Sequence, residues 1–151
     1  MTLSDFTKQP RGAYAFDFWV ANRAIPTPMG EFAVELQMGI GDNAPPADEM
    51  VRQADELVGL LRAHIETIHD KVFEHYQMVA EQGGWLGSCG IPSGLDREGI
   101  LDHLQVRTLT VSRDEDADEV YRSRVFIVPD WDEEHAIYLA HCDGEWEFVE
   151  C

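Results

Sequence analysis

Apolar residues recur along this chain with two different periods, and the change from one to the other divides it into strands and helix. Tyr14, Phe16, Phe18 and Val20 alternate with Ala15, Asp17 and Trp19, and Phe32, Val34, Leu36 and Met38 alternate with Ala33, Glu35 and Gln37. A period of two is that of a strand with one buried and one solvated face. Pro26, Pro28 and Gly30 separate the two runs and make helix improbable there. The pair reads as an antiparallel hairpin with a wide turn, preceded by a polar N-terminal arm.

Beyond the breaker cluster from Gly41 to Pro46 the period changes to three and four. Met50, Ala54, Leu57, Leu61, Ile65, Ile68, Val72, Tyr76 and Val79 form one stripe, while Arg52, Glu56, Glu66, Asp70, Glu74 and Gln77 lie opposite. A mean step near 3.6 predicts a straight amphipathic helix, and Asp48 and Glu49 place negative charge in its first turn, where the helix dipole favours it. From Ala47 to Gln82 such a helix would run roughly 50 Å at 1.5 Å per residue. A domain of this length is on the order of 40 Å across, so either the helix bends or ends early, with Gly59 as the candidate position, or one end projects toward a partner; the bend or early end is the expectation.

Five glycines between Gly83 and Gly94, with Trp85, Cys89 and Pro92, predict a flexible loop. A short helix is expected from Asp96 to Leu104, with Ile100, Leu101 and Leu104 inward, and then four strands over Val106–Arg113, Val120–Val128, Ala136–Cys142 and Glu145–Val149. Asp143-Gly144 is a two-residue hairpin signal, because the turn it makes needs positive φ at both positions. The tract Asp114, Glu115, Asp116, Ala117, Asp118, Glu119 reads as an exposed turn. The element order implies an α+β fold in one domain over residues 1–151: an antiparallel sheet, made of the N-terminal hairpin and a C-terminal four-stranded meander, packed against one long amphipathic helix and a short one.

Composition narrows the function classes. The 151 residues carry 29 acids against 11 bases, a net charge of −18, which opposes binding to phosphate backbones or anionic lipid. No apolar run approaches the roughly 20 residues that cross a bilayer, and MTLSDFTKQPRGAY has no apolar signal stretch. The expected setting is cytoplasmic, with neither nucleic acid nor membrane as partner. Cys89, Cys142 and Cys151 are odd in number and lack CxxC spacing, so they read as reduced thiols. There is no GxxxxGK[ST] phosphate loop, and no cofactor is implied.

The densest chemistry is Asp130, Trp131, Asp132, Glu133, Glu134 and His135, followed by a strand and then His141-Cys142-Asp143-Gly144. Carboxylates with imidazole suit several divalent ions, so His135 and its neighbouring carboxylates are the candidates for a metal site or a small hydrolase. Against this, His135 and His141 in one strand would stand roughly 20 Å apart and could not share an ion. Counting from Asp114, the acidic tract also lacks the Gly and Glu that an EF-hand loop needs. The bland alternative is a solvated acidic turn capped by Trp131. Cys89 with His135 or His141 as base is a second candidate pair, with Cys89 as a small core residue the alternative. His64, His69 and His75 never fall at i, i+4, which rules out an HExxH site and leaves them as boundary residues of a helix/sheet seam.

Charge is the least ordinary feature. From Asp114 to Cys151 there are 13 acids and two bases, Arg122 and Arg124, a net of −11. Such a region steers cationic partners. Trp131, Tyr138 and Trp146 interleave with it, either as interface anchors or as the core face of the sheet. The candidate interaction patch is therefore Asp130, Trp131, Asp132, Glu133, Glu134, His135 and Trp146, facing a basic protein; self-association of the long helix into a homodimer is the other arrangement considered.

Trp131-Asp132-Glu133-Glu134-His135, a strand, Asp143-Gly144 and a last strand, after two N-terminal strands and a long helix introduced by Pro45-Pro46, resemble uncharacterised bacterial domain-of-unknown-function families with a WDxEHG signature. This chain has Ala136 where those families commonly have Gly. The resemblance implies a small bacterial α+β protein without assigned catalysis. Some similar proteins are immunity-like factors beside polymorphic toxins, which would make the basic partner a toxin such as a nuclease.

Overall fold

The computed structural model describes residues 1–10, 16–39, 42, 44–82, 90–113, 120–132 and 134–149. The acidic tract at 114–119, Trp85, Cys89, Glu133 and Cys151 lie outside them, as do Tyr14 and Ala15.

Eight strands are described: β1 (Phe6–Gln9), β2 (Phe18–Ala21), β3 (Ile25–Thr27), β4 (Gly30–Gln37), β5 (Leu104–Arg113), β6 (Tyr121–Pro129), β7 (Ile137–Cys142) and β8 (Glu145–Phe148). They form one sheet in the order β1-β2-β4-β5-β6-β7-β8, with β3 also on β4. The N-terminal part departs from a simple hairpin. The polar arm supplies β1, and the proline-containing connection supplies β3, which pairs Ile25 with Phe32 and Thr27 with Gly30. Pro26 is tolerated because β3 pairs on one side only, so its missing N–H interrupts no second ladder. Strand β2 takes the other half of β4, with Phe18 opposite Gln37 and Val20 opposite Glu35.

The face of β2 is also the reverse of that expected. Trp19 stands opposite Leu36, and directly opposed residues point to the same side of a sheet. Leu36 is buried, so Trp19 and Ala21 pack against the core while Phe18 and Val20 take the far face. In β4 the alternation holds as read, with Phe32, Val34, Leu36 and the following Met38 buried.

Strands β4 and β5 run parallel, Val34 beside Leu109 and Leu36 beside Val111, so the sheet is mixed rather than wholly antiparallel. A parallel neighbour needs a long return path, and here the helices provide it. From β5 onward each strand is antiparallel to the next, and the turn between β7 and β8 carries positive φ at Asp143 (52°) and Gly144 (83°).

Two helices replace the one expected: α1 (Asp48–Ala63) and α2 (Ile65–Glu81). The break is at His64, with φ −121° and ψ 23°, and not at Gly59, which lies inside α1. Helix α1 lies across β5, with β4 and β6 to either side. Leu57 and Leu61 of α1 and Ile68 and Val72 of α2 share the core with Val34, Leu36, Leu109, Val111, Val125, Ile127 and Leu139. The expected short helix is a 3-10 turn, Gly99–His103, entered through a bond from the Gly99 N–H to Asp96 Oδ1 at 2.7 Å. Of its apolar residues Ile100 and Leu104 are buried and Leu101 is half-buried against the core.

Candidate functional site

The candidate residues divide between the core and the surface of one seam, where α2 meets the C-terminal strands. Trp131 is 0% exposed and Trp146 4%; the two tryptophans are core side chains. A buried indole N–H needs an acceptor, and each finds one on the helical side. Trp131 donates to Nδ1 of His75 at 3.0 Å, and Trp146 donates to Nδ1 of His64 at 3.0 Å. Because indole only donates, both imidazoles are held as the neutral tautomer with hydrogen on Nε2. Burial pushes the His75 pKa down; the Asp132 carboxylate opposes this and His135 reinforces it.

Residues 64 and 75 are eleven apart, three helical turns, and so fall on one edge of the apolar stripe. Four of the six histidines gather along this seam. The His141 ring centre lies 5.3 Å from that of His64 and 5.1 Å from that of Trp146, and its Nε2 is buried without a hydrogen-bond partner. His135 is at the other end of β7, beyond His75. Beside the His64–Trp146 pair is a cleft of about 430 Å³ lined by His64, Thr67, Lys71, Gly144, Glu145 and Trp146.

Of the acidic members of the patch, Asp130 and Asp132 have partners of their own. Asp130 donates its N–H to the His103 carbonyl at 2.8 Å, and its carboxylate lies 3.5 Å from His103 Nδ1. Asp132 Oδ1 accepts the His135 N–H at 3.0 Å and stands 3.1 Å from His135 Nδ1. Glu134 and His135 are exposed. Pattern reading missed Phe148, which is 37% exposed, 6.2 Å from the His75 ring and 5.3 Å beneath the Lys71 ammonium. The signal for it was its position two residues after Trp146, which puts it on the same side of β8 but at the rim.

Carboxylates elsewhere are treated differently. Arg97 bonds Asp70 at 2.7 Å and Glu66 at 2.6 Å, and Lys71 lies 3.6 Å from Glu74, so the acidic ladder of α2 is met from within the chain. Arg52 pairs Glu49 and Glu56 on α1. Among the described residues Glu134, Asp143, Glu145 and Glu147 make no ion pair, and no group of three or more His, Cys, Asp and Glu is placed to hold a metal ion. Cys142 is a free, exposed thiol; the Cys89 pairing lies outside the described residues. No described helix is long and apolar enough to cross a membrane.

Fold and seam together define a two-layer α+β domain with a mixed sheet and a histidine-lined junction between helix and sheet. The chain belongs to the DUF6985 family, a domain of unknown function, which matches residues 10–149. No curated protein and no solved structure matches it significantly.

Proposed function

We propose that this is a bacterial cytoplasmic protein-binding domain that docks a basic partner on the surface formed by the β6–β7 connection and the β7–β8 hairpin. One observation carries the reading: Glu134, Asp143, Glu145 and Glu147 are exposed and unpaired among the described residues, on the connection, hairpin turn and last strand that also expose Phe148. Unneutralised charge at a net −18 costs self-repulsion. The same charge accelerates encounter with a cation and is neutralised on docking, with Phe148 as an apolar anchor inside a polar rim. A second copy would bring the same carboxylates to the contact, which disfavours this surface as a homodimer interface. An immunity-type inhibitor covering a basic toxin is the particular case that fits this chemistry.

Affinity capture with the intact chain and with an E134Q/E145Q/E147Q/F148A variant tests the reading. The expected result is a basic protein retained by the first and lost by the second, with an association rate that falls as salt rises. Equal retention by both, or capture of acidic partners only, would overturn it.

A further inference from the structure

The two tryptophans that fix the C-terminal strands to α2 depend on imidazole nitrogens that must stay unprotonated: Nδ1 of His75 for Trp131 and Nδ1 of His64 for Trp146. Protonation turns each acceptor into a donor facing another donor, so a bond is exchanged for a buried N–H to N–H clash. We propose that the His64–Trp146 and His75–Trp131 pairs form a proton-operated latch, closed at neutral pH and released on acidification, which loosens β7 and β8 and the 130–135 connection from α2. The inference rests on the docking reading only for its consequence, regulation of partner binding; the latch itself is a property of the isolated chain.

The surroundings of each pair decide how sharply it acts. His75 is faced by Asp132 and His135 from the β6–β7 connection, by Phe148 from β8, and by Trp131; Lys71 and Glu74 are its charged neighbours on α2. Asp132 alone among the groups from the sheet side favours a charged ring, and it is already bonded to His135. His64 is faced by His141 and Trp146 from the hairpin strands, with Lys71 and Glu145 in the adjoining cleft. His141 has a buried, unpartnered Nε2 next to His64. The centres of these two rings are 5.3 Å apart, so the hairpin meets the helical layer here through imidazole. His64 immediately precedes α2 and His75 lies three turns into it, so both pairs hold the C-terminal strands against the same helix.

The experiment uses the full chain in a W19F/W85F background, so that emission comes from Trp131 and Trp146 alone. Between pH 7.5 and 5.0 the emission maximum is expected to move to longer wavelength, with amide exchange in β7 and β8, corrected for intrinsic pH dependence, rising about tenfold while β4 and β5 stay protected. A second variant, H64N/H75N, keeps an acceptor oxygen near each Nδ1 position that cannot be protonated in this range; it should hold its neutral-pH spectrum down to pH 5.0. Should that variant fail to fold, the indole N–H exchange of the two tryptophans in the unsubstituted histidine protein reads the same event. Unchanged emission and exchange across the titration, or an identical titration in H64N/H75N, overturns the latch. Failure of partner capture leaves these readouts untouched, and loss of the latch leaves capture at neutral pH untouched.

Discussion

The indole N–H of Trp131 donates to Nδ1 of His75 across 3.0 Å, joining the β6–β7 connection to helix α2. The indole is fully buried and stands edge-on to Tyr76 at 5.3 Å between ring centres. Tyr76 in turn donates to the Pro92 carbonyl and accepts the Leu95 N–H at 3.1 Å. One aromatic pair thus ties the C-terminal connection and the segment after Gly90 to the same helix. Trp131→Phe keeps most of the ring volume but removes the donor and leaves His75 Nδ1 without one. It should cost about 1–3 kcal/mol, the usual range for a half-broken buried hydrogen bond, seen as a lower urea midpoint at unchanged m-value.

The same pair fixes the sign of a pH effect. Burial lowers the folded pKa of His75 below its ordinary value of 6.5, so in that interval the unfolded chain binds the extra proton. The contribution is complete above the unfolded pKa and is lost as pH falls through the folded one. Comparing the protein with its His75→Asn variant from pH 8 to 5 cancels the general relief of carboxylate repulsion. The unsubstituted protein should lose more stability on acidification; parallel curves would count against the assignment.

Two glycines should respond oppositely to alanine. Gly30 has φ 107°, and a Cβ there would meet the Arg107 side chain at 3.1 Å, so Gly30→Ala should destabilise by about 1–3 kcal/mol through backbone strain. Gly59 lies within α1 with nothing inside 4 Å of the Cβ position, and Gly59→Ala should stabilise by about 0.5–1 kcal/mol. Denaturant unfolding of the two variants side by side checks both signs.

Arg97 tests how much an exposed ion-pair network holds. Its guanidinium pKa is raised, first by its bond to Asp70 and also by Glu66, and both carboxylates are largely exposed. Arg97→Gln should therefore cost no more than about 1 kcal/mol, and the difference should shrink in 1 M salt. The buried contact of His69 Nε2 with the Arg97 carbonyl at 2.6 Å survives that change, so exchange over the 99–103 turn should rise only slightly.

Charge repulsion predicts a salt response of the whole chain. At −18, raising ionic strength from 20 to 300 mM should raise Tm, because added salt shortens the Debye length and screens repulsion among exposed carboxylates. Glu134→Gln with Glu147→Gln should raise Tm at low salt and flatten that response in differential scanning calorimetry. A Tm that falls with added salt would show that attractive pairs, not repulsion, dominate the surface.

The local pattern was enough for much of this protein. Alternation in Phe32, Val34, Leu36 and Met38, the helical stripe from Met50 to Val79 and the turn at Asp143-Gly144 are properties of neighbouring residues, and backbone geometry turns them directly into a buried strand face, an amphipathic helix and a hairpin. The overlong helix was also visible as a problem of length, because rise per residue needs no partner to define it.

What lay beyond the sequence depended on residues far apart in it. Trp19 reached the core because Leu36 stands opposite it, and strand register is set by the partner rather than by the strand's own alternation. The parallel contact of β4 with β5, between partners 75 residues apart (Ala33 and Thr108), followed from the helices returning the chain to the same sheet edge. The helix broke at His64 and not at Gly59, a solvated glycine that helix propensity merely disfavours, and of the two places open to Trp131 and Trp146, interface or core face, the core took both. Composition fixes how much charge a chain carries and periodicity fixes which elements can form. Which indole meets which imidazole, and hence which carboxylates remain outside and unpaired, is decided only when distant surfaces must exclude water together.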